Sequence, residues 1–262
     1  MLRLGTVPYL NALPLVAGLD DDPTVRLERE VPARLLPRLR AGELDAALVS
    51  AVELFRDPPL RWLPGPAVTC RGAVESILLF LRTEPRCIGS LGLDSSSLSA
   101  AAMTRVLLAE VFDVSAPRLS SAPPDAPLDS LDVDAVLRIG DPALRTDPGS
   151  RTVLDLGEVW TRHTGLPFVF ALWLVRPGAP GRRLAERLRA AKVEGLARRD
   201  ELADAFATTH GMDAARCRRY VRQSIGYDLG PDELSGLQRF GRVAHELGIV
   251  DRASLPPAVD EG

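Results

Sequence analysis

Residues 5–14 read GTVPYLNALP: a short apolar strand running into a turn that carries Tyr9 and Asn11. Strand interiors disfavour Asn, and Pro8 and Pro14 restrict the backbone on either side. The stretch therefore fixes one polar side chain at the end of a buried strand. An ordinary Asn-containing turn would carry the same residues, so the remainder of the chain has to decide between a site and a plain turn.

Strands and helices alternate from there. Leu2–Val7 reads as a buried strand, and Pro32 opens an amphipathic helix with Leu35, Leu36 and Leu39 on one face. Asp45–Ser50 (DAALVS) is a second buried strand ending in a hydroxyl. Val74–Phe80 (VESILLF) is a third, carrying Ser76, and Ile88–Leu91 follows the break at Pro85. At 93–99, LDSSSLS places Ser95, Ser96, Ser97 and Ser99 at the entrance of a helix whose buried stripe is Met103, Val106, Leu107 and Val111. One serine suffices for an N-cap. The others, with the free N–H groups and the positive end of the helix dipole, suit a carboxylate or phosphate.

Residues 115–132 (SAPRLSSAPPDAPLDSLD) have the composition of a surface connection. Asp134–Ile139 returns as a strand, and IGDPAL at 139–144 sets Gly140 and Asp141 at its tip, where Asp141 is equally suited to cap a helix before Pro142. TGLPFVFALWLV at 164–175 is a turn and a strand in which Phe168, Phe170 and Trp173 interrupt an apolar run. Helical periodicity takes over beyond Gly178: Leu184, Leu188 and Ala191 share a face, and Tyr220–Ile225 and Leu234–Leu247 repeat the period. In α/β sheets ligands bind outside the carboxyl ends of strands, and Asn11, Ser50 and Asp141 all fall at such ends.

Composition narrows the function classes. The 262 residues carry Lys+Arg 32 against Asp+Glu 35, a formal net charge of −3, with the two signs interspersed. No basic stripe of the kind that binds nucleic acid is present. No apolar run approaches the ~20 residues of a membrane span, and the amino terminus lacks a charged leader followed by an apolar core, so a cytoplasmic location is expected. Cys70, Cys87 and Cys217 are scattered, as are His163, His210 and His245, which gives neither a disulfide framework nor a metal site. Neither GxGxxG nor GxxxxGK[ST] occurs, so nucleotide chemistry is not expected.

The connections predict an α/β architecture of two lobes with a ligand cleft between them. Residues 1–85 and 171–262 would form the larger lobe and 86–170 the smaller.

Taken together, VPYLNALP (7–14), DAALVSAVEL (45–54), LDSSSLS, IGDPAL, LDLGEVW (154–160) and TGLPFVFALW (164–173) resemble the MqnA family of chorismate dehydratases, from the futalosine route of menaquinone biosynthesis. The resemblance runs on through Ile225–Tyr227 and Gly236–Phe240, covering nearly the whole chain. It implies the two-lobed fold of type II periplasmic binding proteins, used as a cofactor-free enzyme on the dianion chorismate. It further implies Asn11 as catalytic, with Tyr9, Ser50, Ser76, Ser95, Ser96, Ser97, Ser99, Gly140, Asp141 and Phe168 around the substrate. The sister enzyme that makes 1,4-dihydroxy-6-naphthoate shares the fold but begins with an SPDPND-like turn, whereas this chain has VPYLNA. A non-catalytic sensor of small carboxylates remains a third reading of the same fold. Two departures stand out: Leu98-Ser99-Ala100 where a basic residue followed by Thr-Ser is usual, and Arg138 where an apolar residue is commoner. No histidine or carboxylate presents itself as a general base; Glu53, Glu75 and Asp141 lie near strand ends, and His163 reads as an exposed turn residue. The substrate's own enolpyruvyl carboxylate is then the expected base.

Overall fold

The computed structural model describes residues 1–94 and 97–259. Among these the chain forms eleven strands: β1 (Leu2–Thr6), β2 (Val25–Arg29), β3 (Ala46–Ser50), β4 (Arg61–Cys70), β5 (Ile77–Leu81), β6 (Ser90–Leu93), β7 (Arg118–Ser121), β8 (Ala135–Ile139), β9 (Thr152–Asp155), β10 (Phe168–Val175) and β11 (Gly226–Asp228). The α-helices are α1 (Pro32–Arg40), α2 (Leu98–Phe112), α3 (Asp141–Arg145), α4 (Leu156–Thr164), α5 (Gly181–Ala197), α6 (Arg199–His210), α7 (Ala214–Arg219) and α8 (Pro231–Glu246).

The strands build two mixed sheets. One has the order β11-β4-β10-β3-β1-β2, the other β7-β6-β8-β5-β9. In each, parallel neighbours (β1 with β2 and β3; β6 with β7 and β8) meet antiparallel ones (β10 with β3 and β4; β5 with β8 and β9). The carboxyl ends of β1 and β3 in the first sheet, and of β8 in the second, lead into residues that line one shared cavity.

The strand pairings correct the sequence-based division at residues 85 and 170. β5 lies inside the second sheet, where Leu79 pairs with Leu137 on one side and Leu154 on the other. Phe168 and Val169 already belong to the first sheet, paired with Cys70 and Thr69. The chain therefore crosses between sheets over residues 71–76 and 165–167. An apolar run such as Val74–Phe80 signals burial on both faces but not which sheet provides it.

Strand β4 escaped the sequence reading because Pro64, Gly65 and Pro66 sit inside it. They are accommodated in an irregularity: between the pairs Leu174–Trp62 and Leu172–Ala67 the register shifts, and a bulge tolerates residues that break a ladder. The segment 115–132, read as a surface connection, holds the short edge strand β7 and a 3-10 turn at Leu128–Ser130. Arg138 is buried in β8 and donates through Nη1 to the Pro123 carbonyl at 2.6 Å and through Nη2 to that of Ala126. This departure thus braces the proline-rich loop.

The first crossing is pinned from behind. Asp155, the N-cap of α4, accepts from Glu158 N–H at 3.1 Å, and its carboxylate also accepts from Val74 N–H at 3.0 Å and Glu75 N–H at 2.7 Å. Thr161 Oγ1 takes the Gly72 N–H at 2.8 Å. Glu75 adopts φ 60, a left-handed conformation costly for a residue with a Cβ. At the second crossing, Trp160 of α4 packs edge-on against Phe168 (5.2 Å between centroids) and Phe240 of α8 (6.3 Å).

The stretch that carries Asn11 forms a 3-10 turn, Leu10–Leu15, with Leu10, Ala12 and Leu15 fully buried. It is pressed against α5 at Gly195, where a Cβ would lie 2.1 Å from the Pro14 carbonyl oxygen. Alanine in a helix interior ordinarily improves on glycine by ~1 kcal/mol. A collision with backbone at this distance reverses the sign, and Gly195→Ala is expected to lower stability by roughly 1–2 kcal/mol after that gain is deducted. Urea unfolding measures it; a stabilised variant would show that the turn yields.

Candidate functional site

Where the two sheets face each other, the ends of β1, β3 and β8, the start of β10 and the start of α2 line a cleft whose empty space, open solvent at its mouth included, is about 570 Å³. First-sheet residues Val7, Tyr9, Asn11, Ser50 and Phe170 line one side, and Ser76, Ile77, Ser97, Ile139 and Gly140 the other. Val68, Val74 and Ile225 close the floor with apolar surface.

Six sequence-derived candidates thus meet in one place: Tyr9, Asn11, Ser50, Ser76, Ser97 and Gly140. Each arrives by a local device. Tyr9 is extended (φ −101, ψ 153) at the head of the 3-10 turn, whose first hydrogen bond runs from Ala12 N–H to the Tyr9 carbonyl at 3.0 Å. Ser50 ends β3, where the antiparallel pair with Ala171 fixes it. Gly140 adopts φ 65, ψ −143, a conformation open to glycine and not to L side chains, and it turns β8 into α3. Ser97 caps α2: its Oγ accepts from Ala100 N–H at 3.4 Å, which leaves the hydroxyl proton for a ligand. The positive end of a 15-residue helix is therefore directed at the cavity.

Three candidates lie elsewhere. Ser99 is fully buried and its Oγ accepts Val52 N–H at 3.1 Å, tying α2 to the turn after β3. Phe168 belongs to the aromatic core, 5.0 Å from Phe240; the residue two positions on, Phe170, tilts against it at 4.8 Å and supplies the cavity wall. Asp141 is 9% exposed and lies near the Leu10 backbone N–H of the turn after β1. Burial pushes its carboxyl above the ordinary range, against the opposing pull of Arg145, His210 and that N–H. It opens α3 as the first helical residue and does not serve as its N-cap. Ser95 and Ser96 fall outside the described residues.

The carboxylates considered as bases are all engaged away from the cavity. Glu53 is buried beside Arg56 (3.4 Å) and Arg40 (3.7 Å), with burial raising its pKa. Glu75 accepts from Ser224 Oγ at 2.6 Å. His163 ends α4, 3.7 Å from Glu110. Among the described residues, no charged side chain lines the cavity, no cluster of three or more His, Cys, Asp or Glu is placed to hold a metal, and no helix is long and apolar enough to cross a membrane. The polar equipment is neutral: hydroxyls, one carboxamide, backbone N–H groups and a helix terminus.

One residue at the site was legible only as part of a helical repeat. Tyr220 begins a π-helical turn, Tyr220–Ser224, and its hydroxyl lies 2.8 Å from Ser76 Oγ while being 1% exposed. The Asn11 carboxamide lies near the same hydroxyl and, with Ser76, pulls its pKa down against burial. Burial holds the phenol well above its usual pKa, so it stays protonated.

Comparison with solved structures places this architecture among periplasmic-binding-protein-like folds. The protein AF1704 from Archaeoglobus fulgidus superposes with a TM-score of 0.76 at 18% identity, over 95% of this chain and 98% of that one. The alkanesulfonate-binding protein SsuA from Xanthomonas axonopodis pv. citri, bound to MOPS, gives 0.67 at 15% identity over 97% and 95%. In sequence, a chorismate dehydratase of Thermus thermophilus is 31% identical over 94% of this chain and 95% of its own length. One from Campylobacter jejuni is 25% identical over 94% and 98%. Residues 2–246 match the family described as menaquinone biosynthesis, and the chain belongs to that family.

Proposed function

We propose that this protein is a chorismate dehydratase, a hydro-lyase of the cytoplasm that converts chorismate to 3-[(1-carboxyvinyl)oxy]benzoate. The observation that carries the reading is the convergence of Tyr9 and Asn11 with Ser50, Ser76, Ser97 and Gly140 on one cavity free of charged side chains among the described residues. The relatives named as chorismate dehydratases, matched over nearly their full length, support it.

The chemistry follows from the substrate. Chorismate has a ring carboxylate, an enolpyruvyl ether bearing a second carboxylate, and a hydroxyl on the carbon beside the ether. The C–H bond at the ether carbon breaks, its electron pair forms the last ring double bond, and the neighbouring C–O bond breaks. Hydroxide takes up a proton and leaves as water, so no oxidant or reductant is needed. Aromatisation supplies the driving force.

Neutral donors matter to this scheme. A carboxylate paired with a guanidinium loses basicity, by one to three pK units in protein sites. One met by hydroxyls, amide groups and a helix terminus is held in place without being coupled to a full positive charge. The enolpyruvyl carboxylate, tethered to the carbon whose hydrogen it removes, then acts as base at a high effective concentration. The Asn11 carboxamide donates to the departing hydroxyl, where negative charge develops, and the apolar floor of Val68, Val74 and Ile225 excludes competing water.

Purified protein incubated with chorismate alone is expected to yield the aromatic enol ether, followed by ultraviolet absorbance and mass. Binding without product would assign the cleft to a sensor. Asn11→Ala is expected to lower kcat by ~100-fold or more, the loss usual for one transition-state donor, with little change in melting temperature because Asn11 is only half-buried. A near-normal rate would remove Asn11 from the mechanism. The methyl ester of the enolpyruvyl carboxylate is expected to compete with chorismate and not to react; turnover of the ester would transfer the base role to a protein group.

A further inference from the structure

Phe170 occupies a break in the strand pairing. Between β10 and β4, Val169 pairs with Thr69 and Ala171 with Val68, so two steps along β10 match one along β4 and Phe170 is the extra residue. Toward β3 the pairing begins at Ala171, opposite Ser50. A bulge of this kind bends its strand and re-aims a side chain, and bulges are frequent beside active sites. In an unbroken strand Phe168 and Phe170 would share one face. Here Phe168 is packed into the aromatic core, edge-on to Trp160 at 5.2 Å and to Phe240 at 5.0 Å, whereas Phe170 borders the cavity. Phe168 still lies against Phe170, with 4.8 Å between centroids and 55° between planes, and Phe170 is 6% exposed. Its ring is thus held on one side by an aromatic cluster and has little freedom to turn when a ligand enters. The second sheet contributes Ile77 and Ile139 to the same lining, so a ring entering between the sheets meets apolar surface from both.

We infer that Phe170 is the residue that recognises the six-membered ring of the substrate, and that it holds a flat ring better than a puckered one. This deepens the dehydratase reading of the cavity and rests on it. Two adjacent ring carbons of chorismate, those bearing the ether and the hydroxyl, are tetrahedral and pucker the ring; loss of water makes every ring carbon trigonal and the ring flat. An aromatic side chain fixed in place gains contact as the ring flattens, and an interaction that strengthens along the reaction lowers the barrier. The same property sets which small molecules compete for the cleft: planar benzoates with a second carboxylate on an ether arm, ahead of their ring-saturated counterparts. Apolar burial alone would give the opposite order, because the saturated ring is the more hydrophobic of the two.

The probes are 3-(carboxymethoxy)benzoate and cis-3-(carboxymethoxy)cyclohexanecarboxylate, which share both carboxylates and the ether. In calorimetry, wild-type protein is expected to bind the planar probe ~3- to 10-fold more tightly than the saturated one, the scale of one aromatic pair. Phe170→Leu and Phe170→Met keep apolar bulk and lose the ring, and each is expected to abolish the preference. Single-turnover conversion of chorismate by Phe170→Leu is expected to slow by the same ~3- to 10-fold, with steady-state KM within about threefold. Equal affinity of wild-type protein for the two probes, no binding of the planar probe, a preference that survives in either variant, or an unchanged single-turnover rate would overturn the inference. The wild-type comparison and Phe170→Met keep it open to refutation if Phe170→Leu does not fold. Failure of wild-type protein to convert chorismate would instead count against the dehydratase reading, and the two probes would still decide the role of Phe170.

Discussion

The carboxylate of Asp155 holds the place where the chain passes from one sheet to the other. A crossing segment interrupts both ladders, so its backbone N–H groups must find partners off the sheet or remain buried and unpaired at a cost of ~1–3 kcal/mol each. Asp155 accepts those of Val74 and Glu75 while capping α4 through Glu158. Burial pushes its pKa up and the backbone donors pull it down, a balance typical of a carboxylate whose charge is desolvated but satisfied. The left-handed φ of Glu75 is sustained by this clamp together with Ser224. Ser76 follows immediately, so its position in the cavity is set by the clamp.

Asn11 reaches the cavity by a different route. The turn that carries it is a short 3-10 helix packed between β1 before it and α5 against Pro14, with buried Leu10, Ala12 and Leu15 along its inner side. A group held by close packing loses little freedom when substrate binds, which is the condition for an effective orientation of reacting atoms. The result is a neutral, preorganised surface on one side and a helix terminus with a capping serine on the other. Together they leave the cavity without a charged side chain among the described lining residues.

The architecture was readable because alternation of apolar strands with amphipathic helices is a pattern that packing cannot hide. Asn11, Ser50 and Gly140 were readable for a related reason: polar or turn residues at the ends of buried strands stand out against their surroundings. Strand β4 did not show because Pro64 and Pro66 signal a break, and only the bulge reveals how they fit. Phe168 and Phe170 are equivalent in sequence, two apart in one strand; which one faces a core and which a cavity depends on α8 and Phe240 packing from a segment 70 residues later. Ser99 and Asp141 read as ligand groups because serine and aspartate at helix starts serve both purposes. Their neighbours, Val52 N–H and Leu10 N–H, lie in the turns after β3 and β1 and leave no mark in local sequence. Tyr220 was hidden by its regular spacing, since a π-turn has no periodicity that separates it from the α-helix before it.

Those cross-sheet bonds differ in strength from the hydrogen bonds at the crossing. Ser99 to Val52 joins a side chain of α2 to a backbone N–H of the turn after β3, and a neutral bond of this kind contributes ~1 kcal/mol net. The crossing is stronger: several donors converge on one carboxylate, and hydrogen bonds to a charged group contribute about 1.5–3 kcal/mol each. Ser76 stands directly beside that stronger clamp, next to Glu75 in sequence. The polar wall of the cavity at Ser76 is therefore built outward from the most strongly hydrogen-bonded part of the crossing.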